Sequence, residues 1–365
     1  MDYKIPIYKP NLNGNEKKYV NECLDSTWIS SKGEFINKFE KAVCNYVSMN
    51  HATAVCNGTV ALHLALVTLG IGEGDEVIVP SFTYIASVSS IVYTGAKPVF
   101  VDSLEDTWQL DPEDVKRKLT DKTKAIMAVH IYGYPCDMDE LLKISRDNHI
   151  FLIEDCAEAL GSKYNGKFCG TFGDIATLSF YGNKTLTTGE GGMVLTNDET
   201  LYDRAYHFKM HGLAKHREYW HDVIGYNYRM TNICAAIGLA QLETINDRIN
   251  KKRELIKWYI DCLEDLPISY QVEKKNIFDT YWMFTVIVES PEIRENLREF
   301  LDRNGIETRP SFYPVHTMPM FSYKFQKLPV AEKIGWCGVN LPSFPTLTFD
   351  EVREICTLIH KFYKN

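Results

Sequence analysis

One lysine of this 365-residue chain stands where an amine could take part in covalent chemistry. Lys184 lies between two short apolar runs, Ile175–Phe180 and Met193–Thr196, among small and hydroxylated neighbours. Runs of this length and composition predict two strands joined by a tight loop. A lysine held between buried strands is suited to condense with a carbonyl group. The alternative interpretation is an ordinary hairpin lysine that is exposed to solvent.

A second stretch has the features of a phosphate site. Asn57, Gly58 and Thr59 form a predicted turn between a strand, His51–Cys56, and a helix, Val60–Leu69. The first amide groups of a helix lack intrahelical acceptors and lie at the positive end of the helix dipole. Gly58 and Thr59 are therefore candidates for holding an anion, although a plain N-cap at Thr59 explains the same residues.

The elements that must position these residues form a predicted α/β fold. Seven apolar runs alternate in part with helical patterns, which is typical of a mostly parallel sheet covered on both faces. Ligands of such sheets bind beyond the carboxyl ends of the strands. The residues directly after the runs are therefore candidate ligand residues: Asn57–Thr59, Ser81–Tyr84, Asp102, Tyr132, Asp155 and Lys184.

The pattern changes after Asn197. One long helix is predicted over Ile233–Lys257, and we place a domain boundary near residue 245. Residues 1–245 are then a large α/β domain, and residues 246–365 a smaller α+β domain. Near the N-terminus, Trp28 lies in a polar turn between two amphipathic helices, where it could line the mouth of a site.

Composition excludes several classes of function. The net charge is −8 and no basic stripe is visible, so nucleic acid is not an expected partner. The N-terminal ten residues lack a signal-peptide core, and no apolar run is long enough to span a membrane. The ten cysteines are scattered without a CxxC pair. We therefore expect a cytoplasmic protein with reduced cysteines and no metal site.

The candidate residues together match the requirements of pyridoxal 5′-phosphate (PLP). Lys184 supplies the amine that condenses with the cofactor aldehyde, and Asp155 pairs with the ring nitrogen and keeps it protonated. Tyr84 stacks on the ring, and the helix start at Gly58 and Thr59 holds the phosphate. Other phosphate motifs fail: in a P-loop the glycines precede the lysine, and the glycines after Lys184 lead into a strand rather than a helix.

Several longer stretches resemble the sugar aminotransferases of the DegT/DnrJ/EryC1/StrS family over nearly the whole chain. They are NGTVALHLAL (57–66), GDEVIVPSFTYIAS (74–87), HIYGYPCDMD (130–139), IEDCAEALGSKYNGK (153–167), GDIATLSFYGNKTLTTGEGGMV (173–194), GYNYRMTN (225–232) and ETRPSFYPVHTMPM (307–320). The resemblance implies the type I, aspartate aminotransferase-like fold of PLP-dependent enzymes with a seven-stranded sheet.

The resemblance also implies a role for each matched residue near the cofactor. Lys184 would be the Schiff-base lysine and proton shuttle, and Asp155 the partner of the ring nitrogen. Tyr84 would stack on the ring, and Glu158 would lie near the ring hydroxyl. The cofactor phosphate would be held by Gly58, Thr59 and Ser179.

Further roles are implied for the substrate and for a second subunit. Asn227 would reach the phosphate of the neighbouring subunit, so the working unit would be a homodimer with shared active sites. Arg229 lies near the same interface. Arg309, Tyr313 and His316 match the segment that meets the nucleotide-sugar end, and Trp28 is a further substrate-binding candidate.

Within the family, the chain is most similar to the branch that forms GDP-perosamine. That branch shares Glu158, where many members have Gln, whereas Tyr181 replaces the usual Phe. Members with His at the position of Lys184 perform dehydration, and Lys184 argues against that reaction here. The expected reaction is transfer of an amino group from L-glutamate to GDP-4-keto-6-deoxymannose, leaving 2-oxoglutarate.

Two alternatives remain open at this level. The same chemistry could act on a UDP- or dTDP-linked 4-keto-6-deoxy sugar, for example to form UDP-viosamine. The chain could also be a binding or regulatory protein that keeps the fold without turnover. The intact set of Lys184, Asp155 and the phosphate turn argues against the second alternative.

Overall fold

The computed structural model describes residues 3–322 and 326–364. The helices are α1 (Glu16–Ser26), α2 (Glu34–Val47), α3 (Gly58–Thr68), α4 (Ile85–Tyr93), α5 (Pro112–Lys118), α6 (Met138–Asn148), α7 (Glu199–Lys209), α8 (Asn232–Glu243), α9 (Ile245–Leu263), α10 (Pro291–Arg303), α11 (Pro329–Cys337) and α12 (Phe349–Lys364). The strands are β1 (His51–Val55), β2 (Glu76–Pro80), β3 (Lys97–Val101), β4 (Thr123–Val129), β5 (Phe151–Asp155), β6 (Lys163–Tyr164), β7 (Lys167–Phe168), β8 (Ile175–Ser179), β9 (Gly192–Thr196), β10 (Ile277–Phe278), β11 (Phe284–Ile287), β12 (Arg309–Pro310) and β13 (Gly338–Leu341).

A seven-stranded sheet forms the centre of the fold, in the order β1-β9-β8-β5-β4-β2-β3. Strand β9 runs antiparallel to both of its neighbours, and the other pairs are parallel. Strands β8 and β9 pair antiparallel on either side of the loop that carries Lys184. The predicted mostly parallel sheet of seven strands and the strand–loop–strand arrangement around Lys184 are confirmed.

Both faces of this sheet are buried, which explains why its strands read as nearly continuous apolar runs. Along β4, Ala125, Met127 and Val129 belong to one hydrophobic cluster with α3 and α4. The alternate residues Ile126 and Ala128 belong to a second cluster on the opposite face. Because successive side chains of a strand point to opposite faces of the sheet, the residues of β4 alternate between two cores.

A second antiparallel sheet, β11-β13-β12, lies in the C-terminal part of the chain. Its core combines residues of α9, α10 and α12 with Ile5 from the N-terminal segment. The separate core supports the domain division at residues 245/246, which we retain as a proposal. The N-terminal segment around Ile5 then packs on the smaller domain although it precedes the larger one.

The single helix predicted over Ile233–Lys257 is wrong, because two helices, α8 and α9, meet at Thr244. Thr244 has φ −118° and ψ 17°, outside helical values. Arg248 on α9 donates from Nη1 to the carbonyl oxygen of Gln241 at 2.6 Å. This bond satisfies one of the carbonyl groups that the end of α8 leaves unpaired, so a tertiary contact stabilises the break. Across residues 3–322 and 326–364, no helix is both long and apolar enough to cross a bilayer.

Close packing of α8 on α2 gives a test of the fold. A Cβ added at Gly238 would lie 2.6 Å from a ring carbon of the buried Phe39. Helix propensity favours Gly238→Ala by about 1 kcal/mol, but overpacking costs about 1–3 kcal/mol. We therefore expect Gly238→Ala to lower the free energy of unfolding by about 1 kcal/mol, measured by urea denaturation.

The control is the double variant Gly238→Ala/Phe39→Leu. Removing the ring relieves the overlap, so the double variant should lose less stability than the sum of the two single variants. Strict additivity would show that Phe39 does not oppose the new methyl group.

Candidate active site

One cavity of roughly 550 Å³ lies at the carboxyl ends of the central strands. Its walls combine residues from α3, the start of α4, the ends of β4, β5 and β8, and the loop after β8. Many of the predicted cofactor residues line it together: Gly58, Thr59, Tyr84, Asp155, Glu158, Ser179 and Lys184. The expectation that strand ends assemble these residues is therefore correct in geometry, and their roles remain proposals.

At one end of the cavity, α3 begins with free amide groups. Asn57 is the N-cap: its side-chain Oδ1 accepts from the amide of Val60 at 3.0 Å, and its carbonyl accepts from Ala61 at 3.2 Å. The amides of Gly58 and Thr59 precede those bonds and lack intrahelical acceptors. A Cβ on Gly58 would lie 2.7 Å from Cβ of Ser179. Glycine is therefore required for the close approach that brings Ser179 beside these amides.

Asp155 lies at the end of β5 with its carboxylate buried. Ser87 donates to Oδ2 at 2.8 Å, and the amide of Ala157 donates to Oδ1 at 3.1 Å. Burial raises the pKa of the Asp155 carboxyl, and the hydrogen bond from Ser87 opposes that increase. A buried carboxylate of this kind is stabilised by a cation placed against it.

The neighbouring acid Glu154 holds the chain that follows β7. Its carboxylate accepts from the amides of Gly170, Phe172 and Gly173, each at 2.7 Å, and lies 3.1 Å from Nε2 of His130. His130, Glu154 and Cys156 come within 4.8 Å of one another. Because the carboxylate already has these donors, we interpret this cluster as a buried hydrogen-bond network that fixes the end of β5.

Lys184 faces a second acid across the cavity. Its Nζ donates to Oε1 of Glu158 at 3.2 Å, and Oε2 of Glu158 accepts from the amide of Tyr132 at 2.7 Å. Burial raises the pKa of the Glu158 carboxyl, and the charge of Lys184 opposes this. Tyr132 adopts φ 59° and ψ 11°. Left-handed backbone is uncommon for a bulky side chain and costs about 1–3 kcal/mol, and here it directs the amide towards Glu158.

These features fit PLP. The free amides at Gly58 and Thr59 suit its phosphate, and the buried Asp155 suits a protonated ring nitrogen. Lys184 supplies an amine in the same cavity. Tyr84, 56% exposed at the cavity rim, offers a ring face.

A second cavity of roughly 740 Å³ adjoins the first and shares Tyr84 and Tyr181 with it. Arg309 and Tyr313 line it, and their role at the substrate end stays a prediction. Within residues 3–322 and 326–364, Arg309 is the charged residue among its lining residues. The Arg309 side chain is 64% exposed and forms an ion pair with Glu307 at 2.5 Å.

Other predicted residues lie elsewhere. His316 is 5% exposed and lies outside the lining of both cavities. Its Nδ1 is 2.6 Å from Oγ of Ser81, and its Nε2 is 3.4 Å from Glu332. Asp102, expected at a ligand edge, instead accepts from the amide of Ala331 at 2.8 Å, at the start of α11. For His316, Ser81 and Asp102 the structure therefore shows contacts between elements of the fold.

Trp28, Asn227 and Arg229 also lie outside the lining of both cavities. Trp28 is exposed, and its carbonyl accepts from Asn232 at 2.7 Å. Asn227 is exposed, and its Oδ1 accepts from Nε of Arg229 at 3.0 Å. Within one chain, none of these three side chains completes the site.

The sequence did not assign several residues that the structure places in the site. Ser87 contacts Asp155, and Trp282 and Phe312 line both cavities. Ser87 carried a signal, since it is one of several serines on the otherwise apolar α4. Phe312 lies in the stretch 307–320 that carries part of the family resemblance, but it was given no role there, and no local pattern around Trp282 indicates the site.

Known proteins show the same organisation. The sequence profile of the DegT/DnrJ/EryC1/StrS aminotransferase family matches residues 10–360. GDP-perosamine synthase of Escherichia coli O157:H7 is 61% identical over 361 residues, which cover 99% of both chains. GDP-perosamine synthase of Vibrio cholerae is 49% identical over 98% of this chain and 99% of that protein.

A solved structure agrees with these relatives. DesV of S. venezuelae, in complex with a ketimine intermediate, superposes with a TM-score of 0.93 at 33% identity over 99% of each chain. The predicted fold class, cofactor and enzyme class are thereby confirmed. This chain belongs to the DegT/DnrJ/EryC1/StrS aminotransferase family of PLP-dependent sugar aminotransferases.

Proposed function

We propose that this enzyme transfers the amino group of L-glutamate to carbon 4 of GDP-4-keto-6-deoxymannose and so forms GDP-perosamine. We infer the substrate from the 61% identity with a GDP-perosamine synthase over 99% of the chain. The transfer itself is supported by geometry, because Lys184 faces Glu158 in the cavity that Asp155 also lines. UDP- or dTDP-linked sugars and a non-catalytic role are not favoured by these relatives.

PLP, when bound, supplies an electron-accepting ring that lowers the barrier to removing a proton from carbon. We propose that the amides of Gly58 and Thr59, with Ser179, hold the phosphate. Asp155 would keep a positive charge on the ring nitrogen, since burial of its carboxylate favours a cation placed against it. Tyr84, which lines the same cavity, would cover one face of the ring.

Lys184 is the group that moves protons. Its neutral amine takes a proton from carbon and its ammonium form returns one, so a single side chain serves as base and as acid. Glu158 accepts a hydrogen bond from Lys184 and so restricts where the amine can reach. The surrounding apolar walls, including Trp282 and Phe312, exclude water from the proton being moved.

We propose that both substrates use this site in turn. L-Glutamate donates its amino group and leaves as 2-oxoglutarate, and the keto sugar then accepts the group. The nucleotide part of the sugar substrate extends into the second cavity, towards Arg309 and Tyr313. Because the net charge is −8, the protein does not attract a diphosphate as a whole, so a placed arginine must do so.

We propose a homodimer with shared sites as the working unit. Asn227 and Arg229 lie outside the linings of the two cavities described above, and Asn227 is exposed to solvent, which suits a role in the site of a partner. The preceding loop exposes large apolar side chains, with Tyr219 and Ile224 each 92% exposed. Exposed apolar side chains grouped in this way indicate a contact surface.

We also propose that the enzyme works in the cytoplasm. Its ten cysteines are all free thiols, which suits a reducing compartment.

The direct test is turnover with L-glutamate and a panel of GDP-, UDP- and dTDP-linked 4-keto-6-deoxy sugars, followed by mass spectrometry of the amino sugar. We expect kcat/KM for the GDP-linked sugar to exceed the others by at least about tenfold. Lys184→Ala is the control and should lose turnover by at least about a thousandfold, because no other amine replaces it. A preference for a UDP- or dTDP-linked sugar would contradict the proposed substrate, and residual fast turnover by Lys184→Ala would contradict its role.

Arg309→Ala tests recognition of the diphosphate. Loss of a charged hydrogen bond to phosphate should raise KM for the sugar nucleotide by about ten- to a hundredfold. The half-reaction with glutamate should stay within about twofold, because glutamate carries no diphosphate. Arg303→Ala, which removes an exposed arginine paired with Glu299, is the matched control and should change neither. Equal losses in both half-reactions would show that Arg309 supports the fold or the cofactor instead.

Mixing two inactive variants tests the shared site. In a heterodimer of Asn227→Asp and Lys184→Ala subunits, one site carries both substitutions and the other carries neither. The intact site should restore up to roughly half the activity of wild type per heterodimer. If subunit exchange is demonstrated by mass and activity stays absent, each site must lie within one chain.

A further inference from the structure

Trp282 connects the C-terminal part of the chain to the loop that carries Lys184. Its indole Nε1 donates to the carbonyl oxygen of Asn183 at 2.7 Å. The centroid of its ring lies 3.8 Å from Nζ of Lys184. Trp282 is 5% exposed and lines both cavities. One side chain thus contacts the amine and also binds the adjacent peptide group.

The surroundings fix the indole in this position. Its ring stacks near Tyr132, with a centroid distance of 6.1 Å and an interplanar angle of 26°, and near Phe312, at 6.3 Å and 24°. Nζ of the buried Lys252 donates to the carbonyl oxygen of Trp282 at 3.1 Å. The preceding Tyr281 has φ 49°, so the chain turns sharply to present the ring to the cavity.

We propose that Trp282 is a positioning residue for Lys184. Its ring face binds the ammonium form of Lys184, and its Nε1 fixes the loop between β8 and β9 (residues 180–191, the lysine loop). This inference rests on the proposal that Lys184 is the reacting amine. A ring face attracts an ammonium group through the ring quadrupole and has little attraction for a neutral amine. Trp282 therefore acts on the state of Lys184 that holds the proton, in addition to the hydrogen bond that Nζ donates to Glu158.

A second aromatic residue, Tyr8, also holds the lysine loop. It allows the effect of fixing the loop to be measured separately from the effect of the ring on the ammonium group. The hydroxyl of Tyr8 donates to the carbonyl oxygen of Lys184 at 3.0 Å. Consecutive carbonyl groups, of Asn183 and Lys184, are thus held by two aromatic side chains. Within residues 3–322 and 326–364, Tyr8 supplies this tether without a ring contact to Nζ, whereas Trp282 supplies both. Comparing their variants distinguishes loop tethering from the effect of the ring.

The experiment measures how fast the apoprotein takes up PLP as a function of pH, followed by the absorbance of the bound cofactor. In Trp282→Leu the ammonium form loses the ring face that attracts it, which favours the amine form that reacts with PLP. The uptake profile should move to lower pH by roughly 0.5–1 unit. Trp282→Phe keeps a ring and should move less. Tyr8→Phe removes only a tether and should slow uptake without moving the profile.

A matched control variant and a second probe distinguish a specific effect of Trp282 from a general loss of folding. Trp258→Phe removes a tryptophan that packs on Phe349, and its profile should coincide with that of wild type. Replacing the six tryptophans with fluorinated tryptophan weakens the ring quadrupole at nearly constant shape. That replacement should move the profile in the wild-type background and leave it unchanged in the Trp282→Phe background.

Two results would overturn the proposal: identical profiles in wild type and Trp282→Leu, or an equal shift with fluorinated tryptophan in both backgrounds. Failure of the underlying function gives a different result. If Lys184→Ala still takes up PLP with the absorbance of wild type, Lys184 is not the reacting amine, and the comparison of Trp282 variants no longer concerns it.

Discussion

Burial of three charged groups in one cavity is the constraint on which this structure depends. Asp155 and Glu158 are buried carboxylates, and Lys184 is the amine between the strands that faces Glu158. Each group would be costly to bury alone, because desolvation penalises the charged form. Two acids facing one amine leave an excess of negative charge. In the proposed binding of PLP, a cationic ring nitrogen at Asp155 would balance this charge, and the phosphate would lie at the separate amides of Gly58 and Thr59.

The fold places these groups without relying on flexible side chains. Asp155 and Ser179 end parallel strands, and the register of the sheet brings both ends to one edge. Backbone amides then hold the carboxylates: Ala157 for Asp155 and the left-handed Tyr132 for Glu158. Positions set by backbone are more precise than those set by long side chains, which matters where a proton moves between atoms about 3 Å apart.

The sequence predicted the parts of this site that follow from local pattern. Apolar runs locate strands, and residues after strands reach one edge, so Asp155 and Lys184 were found from spacing alone. The direction in which a side chain points, and its contacts with residues far away in the sequence, produce no local sequence pattern. Asp102 also follows a strand, yet its carboxylate turns to cap α11. Trp282 lies far after Lys184 in the sequence, packs in the core on one face of the central sheet, and reaches Lys184 only through tertiary packing. The break at Thr244 was missed for the same reason, since Arg248 stabilises it across two helices.

The proposed dimer links cofactor retention to association. One chain supplies the amides, Asp155 and Lys184, but its own Asn227 lies outside the cavities. If a partner's Asn227 completes the phosphate site, PLP binds the dimer more tightly than the separated chain. By linkage, bound PLP then stabilises the dimer by the same free energy. In the proposed dimer the exposed apolar side chains of Tyr219 and Ile224 would be buried against the partner, so the contact surface and the complete site would form together.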